Sequence, residues 1–286
     1  MASWRAVAAV VSAVVLTAAG AVAGTAVGAP ARAAAPGRAM WLWNRADPAT
    51  VITWATDHDV REIFTYVEPN VAASGDLTRL KDLKKRADRA GITLSALGGE
   101  PGWVFDIEGA RAWQKSALGT KLFARSHVDV EPYALNAWST DQPGTVAAFV
   151  ALLDALQADD ARPLEVDVPF WYDTIPLEGG TLADAVLARV DAVTVMSYRD
   201  TATGPNSIMD VGADMLLRGG AAGIPVRLAA ETASLPDCPY CTFFEEGQQR
   251  LANTLDDVDV AAAGYPAFAG IAVHHYGSWS TLRDSP

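Results

Sequence analysis

Four glutamates stand at the ends of short apolar runs: Glu68, Glu100, Glu131 and Glu231. A carboxyl that holds its proton can donate it to a departing alcohol, while a second carboxylate attacks or activates water. The strongest local pattern is Ser126-His127-Val128-Asp129-Val130-Glu131-Pro132. Extended backbone would put His127, Asp129 and Glu131 on one face and Val128 and Val130 on the other. An inward row of ionisable groups is costly unless its members pair, and the same burial keeps a carboxyl protonated near neutral pH. The competing reading is a polar network that holds the core together, with Glu165 and Asp167 as its other half. Aromatic side chains accompany the acids: Trp43, then Trp171 with Tyr172 and Asp173, then Tyr198, then His274 with Trp279 close behind. Rings at such positions fill cores or stack on sugars.

Those residues need elements to carry them. Runs suited to buried strands recur at 40–44, 62–68, 93–97, 122–131, 164–171, 192–198, 226–231 and 269–276. Helical periodicity fills most of the gaps, as at 77–90, 145–157, 182–190, 209–217 and 244–255. Gly91, Gly219, Gly220 and Gly223 follow helical runs, and Pro143 and Pro225 mark element edges. Alternation of strand and helix means a parallel sheet. No G-x-G-x-x-G follows the first run, which disfavours an open dinucleotide-binding sheet. The expectation is α/β: a single (β/α)8 TIM barrel over residues 36–286. Reactive groups of such barrels lie at the C-terminal strand ends, where the glutamates stand.

Composition narrows the partners. The 286 residues are 50% hydrophobic and carry a net charge of −12, which supplies a core and opposes binding to nucleic acid or anionic lipid. Nine Trp suit a neutral, hydroxyl-rich carbohydrate partner. Residues 1–35 read as a signal peptide: one basic residue in Met1 to Arg5, an uncharged Ala/Val stretch, and A-x-A options at Ala31, Ala33 and Ala35. A secreted monomer without lasting membrane association is therefore expected, an uncleaved anchor being the alternative.

Cys238-Pro239-Tyr240-Cys241 has redox-dithiol spacing, but a loop after the seventh run of a secreted barrel favours a local disulfide contributing roughly 2 kcal/mol. Two further zinc ligands are missing nearby. Only one of His274 and His275 can face inward from a strand, and the first run carries Trp41-Leu42-Trp43 where a metal amidohydrolase carries H-x-H. No cofactor and no metal are expected, with a metal-dependent hydrolase using His127, Asp129 and Glu131 as an alternative.

Asp129-x-Glu131, Met196-x-Tyr198 and Trp279 resemble the pattern of chitinase-like family 18 glycoside hydrolases. That resemblance implies Glu131 as general acid, Asp129 as its orienting partner, and Tyr198 as a holder of the substrate's acetamido group. The family's longer acidic run meets Ala124 and His127 here. Glu131 and Glu231 also resemble the acid/base and nucleophile of clan A retaining glycosidases, with Val130 where that clan usually has Asn. Carboxyls about 5 Å apart would allow a covalent intermediate, and roughly 6.5 to 9.5 Å would admit an attacking water. Both resemblances imply a glycoside hydrolase acting on an extracellular oligo- or polysaccharide, with Glu131 giving the proton. Trp171, Trp43, Glu68, Glu100, His127, Asp173, His274 and Trp279 are the expected substrate contacts. A non-catalytic carbohydrate-binding barrel would use the same groove.

Overall fold

The computed structural model describes residues 37–285, so the expected signal peptide at 1–35 lies outside the described residues. Eight parallel strands close into a barrel: β1 Arg38–Leu42, β2 Val60–Tyr66, β3 Thr93–Gly98, β4 Ser126–Val128, β5 Leu164–Pro169, β6 Ala192–Met196, β7 Val226–Glu231 and β8 Phe268–His274. Each strand pairs with its sequence neighbours, and β1 closes the ring against β8 with Ala39 opposite Ala272. The (β/α)8 expectation holds. A two-stranded hairpin, Pro176–Leu177 with Gly180–Thr181, comes after β5.

The crossovers are α1 Pro48–Asp57, α2 Leu77–Ala90, α3 Ile107–Gly119, α4 Gln142–Asp159, α5 Leu182–Leu187, α6 Ile208–Ala222, α7 Gly247–Ala262 and the single turn α8 Tyr276–Trp279. Asp47, Asp106, Asp141, Thr181 and Ser207 each accept a backbone N–H at a helix start, which satisfies donors the helix itself leaves free. Gly91 and Gly223 end α2 and α6 at φ +69° and +71°, the left-handed conformation that an added Cβ resists. Gly219 and Gly220 do not end a helix, as their sequence position suggests. α6 continues through them, because the absent Cβ of Gly219 lets the helix approach β7: that atom would sit 2.5 Å from Val226 Cγ2.

Side-chain alternation divides the core into two. Outward residues such as Met40, Ile63, Val128, Val166, Val195 and Leu228 pack under the helices. Inside, Ala39, Trp41, Phe64, Leu97, Ala229 and Ala272 form a separate apolar layer. Below that layer, at the N-terminal end, lies a closed charge network. Arg227 donates to Glu62 at 2.5 Å and to Glu165, Ser95 donates to Glu62 at 2.5 Å, Thr194 donates to Glu165 at 2.8 Å, and Arg125 lies 3.2 and 3.3 Å from the two glutamates. Burial opposes ionisation of Glu165, but the Arg227 charge and then His127 overcome it and hold the carboxyl well below its usual range. The polar network of the structural alternative is therefore real, and it occupies the lower half of the barrel.

Candidate active site

The upper half is built by the turns that leave the C-terminal ends of the strands. β4 stops at Val128, shorter than the run at 122–131, and one more ladder bond to β3 follows it: Asp129 N donates to the carbonyl of Gly98 at 2.9 Å. Gly99 permits that approach, since a Cβ there would lie 2.1 Å from the Asp129 carbonyl oxygen. The alternation nevertheless persists, with Val130 buried outward and Glu131 half-buried at the mouth. Pro132 then opens a tight turn, Pro132–Ala134, that folds Tyr133 back so that its hydroxyl donates to Glu131 Oε1. Burial, then the neighbouring Glu131 charge, push the Tyr133 phenol far above its usual range and keep it a donor. Tyr133 is not among the expected site residues, although a Pro just before an aromatic residue at a strand end is a legible signal for such a turn.

Asp129 sits inboard of this pair. Its Oδ1 is buried without a hydrogen-bond partner, and burial first, then the Asp167 and Glu131 charges, raise its proton affinity well above the carboxylate range. Tyr172 closes the site from the turn Phe170–Thr174; it is 1% exposed, its hydroxyl has no partner, and Glu131 and Asp129 both act on it. Trp171 meets Tyr133 edge-on at 5.3 Å and Trp138 at 6.0 Å, which makes a half-buried aromatic wall beside Glu131. Trp138 comes from the short helix Asn136–Thr140.

Glu231 ends β7 at 4% exposure. Its Oε1 accepts the backbone N–H groups of Thr232 and Ala233, each at 2.7 Å, and its Oε2 lies 2.6 Å from His274 Nδ1. Trp43 Nε1 lies 3.1 Å from His274 Nε2. An indole N–H only donates, so Nε2 carries the lone pair and Nδ1 carries the hydrogen that goes to Glu231. Tyr198, just past the end of β6, has its ring 6.0 Å from that of His274. Burial raises its phenol well above the ordinary value, with Glu231, Asp167 and Asp129 adding to the effect in that order. These contacts and charges therefore bring groups from the ends of β1, β4, β6, β7 and β8 into one acidic cluster.

Other expected contacts are placed differently. Glu68 pairs with Arg45 at 2.8 Å on the exposed rim, Glu100 is exposed at the head of the turn Pro101–Val104, and Asp173 is half-buried in the Phe170–Thr174 turn. Trp279 is corrected: it is buried against Trp54 and His58 of the α1 region, where a large apolar side chain fills space between helices. Trp103 likewise packs on Trp113 beneath Gly98. His127 is also corrected. It is 0% exposed, stacked on Phe64 at 3.7 Å, with Nε2 2.9 Å from Asp167 Oδ1, so it cannot touch substrate. Burial opposes its charge, but Asp167 and Glu165 prevail and raise its pKa to about 10. His127 Nε2 faces Asp167 Oδ1 and does not join Asp129 and Glu131 in the alternative metal set. Among the described residues no group of three or more His, Cys, Asp or Glu is arranged to hold a metal ion. Cys238 and Cys241 form the expected disulfide, in the loop where Tyr240 O accepts from Asp200 N.

No protein-family model and no curated protein matches the sequence. In backbone the chain is similar to a GH113 β-1,4-mannanase, with TM-score 0.54 and 12% identity over 87% of this chain and 92% of that one. It is similar to a GH18 chitinase from Pseudoalteromonas aurantia, with TM-score 0.53 and 13% identity over 85% and 94%. It is also similar to the spore cortex-lytic enzyme SleL of Bacillus cereus, with TM-score 0.53 and 10% identity over 85% and 71%. At these identities the likeness establishes a backbone shared with TIM-barrel glycoside hydrolases and assigns no residue a role.

Proposed function

We propose that the chain is a secreted glycoside hydrolase that cleaves an O-glycosidic bond in an extracellular oligo- or polysaccharide, with Glu131 as general acid. The observation that carries this reading is the Glu131 carboxyl at the barrel mouth, held through Oε1 by the Tyr133 hydroxyl, beside Asp129 and the Trp138–Trp171 wall. With Oε1 occupied, Oε2 is the oxygen left to deliver a proton. That proton passes to the glycosidic oxygen as its bond to the anomeric carbon breaks, and the sugar leaves as a neutral alcohol. Asp129, whose proton affinity is raised by burial and by the Asp167 and Glu131 charges, is a second proton-holding group in the same acidic cluster.

Glu231 takes the complementary role. Its three N–H donors fix its orientation, and Oε2, which accepts only one of them, keeps a lone pair. It faces the positive charge that grows at the anomeric carbon, as nucleophile or through an activated water. Tyr198, whose hydroxyl has no described hydrogen-bond partner, and the Trp171 ring position the sugar. Structural neighbours that are glycoside hydrolases support the same reading.

The test is reducing-end release by the purified protein across a panel of polysaccharides, together with Trp171→Ala. Turnover of one substrate is expected, with Trp171→Ala raising KM more than it lowers kcat. Binding to a polysaccharide without turnover would overturn the enzymatic reading in favour of a carbohydrate-binding barrel.

A further inference from the structure

We propose that the buried ion pair of His127 and Asp167 is the positioning device of the Asp129–Glu131 pair: it sets the charge state of Asp129 from inside the barrel and touches no substrate. The kinetic consequence rests on the glycosidase reading; the electrostatic one does not.

Strand geometry comes first. His127 and Asp129 are two residues apart on the inward face of one segment. β4 pairs with β5 in the register His127 with Glu165 and Val128 with Val166, and the next step along that register brings Asp129 level with Asp167. Asp129 thus has Asp167 beside it and His127 one layer below. Both lower groups are immobilised. The imidazole lies flat on Phe64 at 3.7 Å and 20° and edge-on to Trp41 at 6.0 Å, and Asp167 Oδ2 accepts the Trp41 indole N–H at 3.0 Å. His127 Nε2 and Asp167 Oδ1 are 2.9 Å apart, and both residues are buried.

The orphaned Asp129 Oδ1 supplies the second line of argument. With no donor to stabilise it there, this carboxyl answers to the surrounding charges. Asp167 and Glu131 oppose its ionisation, and His127 favours it. Farther out, the barrel interior presents Glu62 from β2, Arg125 from the start of β4, Glu165 from β5 and Arg227 from β7, which balance one another below His127. Tyr198, Glu231 and His274 lie at the mouth, with Tyr133 and Tyr172 in the turns beside Asp129. The two charges nearest to Asp129 from below are of opposite sign. With Glu165 still beside His127 to hold its charge, removing Asp167 and removing His127 move Asp129 in opposite directions, which a merely structural pair would not do.

The experiment follows the Asp129 carboxyl by 13C NMR during a pH titration of the full chain, with the resonance assigned by its loss in Asp129→Asn. Asp167→Asn is expected to lower the titration midpoint and His127→Gln to raise it, each by about half a unit or more. The double variant H127Q/D167N should fall between them. Near-UV circular dichroism checks folding, and if Asp167→Asn does not fold, His127→Gln alone decides by its direction. Shifts of the same sign, or none, would overturn the proposal. With a substrate in hand, the basic limb of kcat/KM against pH should move as the midpoint does while KM stays level. A parent protein without turnover would defeat the glycosidase reading and leave the titration able to decide this one.

Discussion

His274 Nδ1 lies 2.6 Å from Glu231 Oε2, and the indole of Trp43 closes the other side of the ring, 3.1 Å from Nε2. Trp43 therefore dictates which nitrogen carries the proton, and through it which way Glu231 points. Trp43→Phe keeps an aromatic ring and deletes that one donor, which is worth about 1 kcal/mol, or about fivefold in kcat. His274→Ala leaves a buried carboxylate short of a donor and should cost roughly 1–3 kcal/mol, about 5- to 150-fold. Steady-state kinetics on one substrate ranks the two; a larger effect from Trp43→Phe than from His274→Ala would show that the order of dependence is wrong.

Tyr133→Phe removes the hydroxyl that holds Glu131 Oε1 and leaves the ring against Trp171. The aromatic wall survives, so KM should change little. The freed carboxyl samples more orientations, and kcat should drop by about fivefold to tenfold, the scale of one neutral hydrogen bond. A change confined to KM would place Tyr133 in sugar binding instead.

The interior charges make stability fall at both ends of the pH scale. His127 binds its proton more tightly folded, near pH 10, than unfolded, near 6.5, so its contribution is complete below about 6.5 and is lost as pH rises through about 10. Glu165 is the opposite case: its folded proton affinity is depressed, so its contribution is present above the ordinary carboxylate range and is lost on acidification below it. Chemical denaturation at several pH values should give a maximum between the two. His127→Gln should flatten the alkaline side and also weaken the acid side, since His127 helps hold Glu165 down; an unchanged alkaline limb would mean that His127 is not charged in the folded protein.

Gly99→Ala tests the backbone approach that sets Asp129. The added methyl would meet the Asp129 carbonyl at 2.1 Å, and only backbone movement relieves that contact. Overpacking of this kind costs about 1–3 kcal/mol. Thermal unfolding should register the loss, and activity should fall further than the same loss of stability produces when it is introduced at the exposed Leu217.

The barrel was legible because buried parallel strands and helix ends are local features: Pro143 and Gly91 mark ends in the chain itself. The inward row His127, Asp129 and Glu131 was legible for the same reason, since a period of two is a property of one strand. Pairings across the barrel were not. Nothing near His127 in the chain reveals that Asp167 and Phe64 enclose it, or that the ring closest to Trp279 belongs to the α1 region and not to the acidic cluster. Two glutamates at strand ends, Glu100 and Glu231, part company because Pro101 turns one outward while His274 and two backbone N–H groups hold the other in.

Reducing-end release by the parent and by Glu131→Gln, measured side by side on the best substrate of a polysaccharide panel, decides whether Glu131 gives the proton. Loss of a general acid should slow turnover by about 10²- to 10⁴-fold while substrate affinity is retained. Equal rates for the two proteins would contradict the assignment of Glu131 and with it the mechanism built on the barrel mouth.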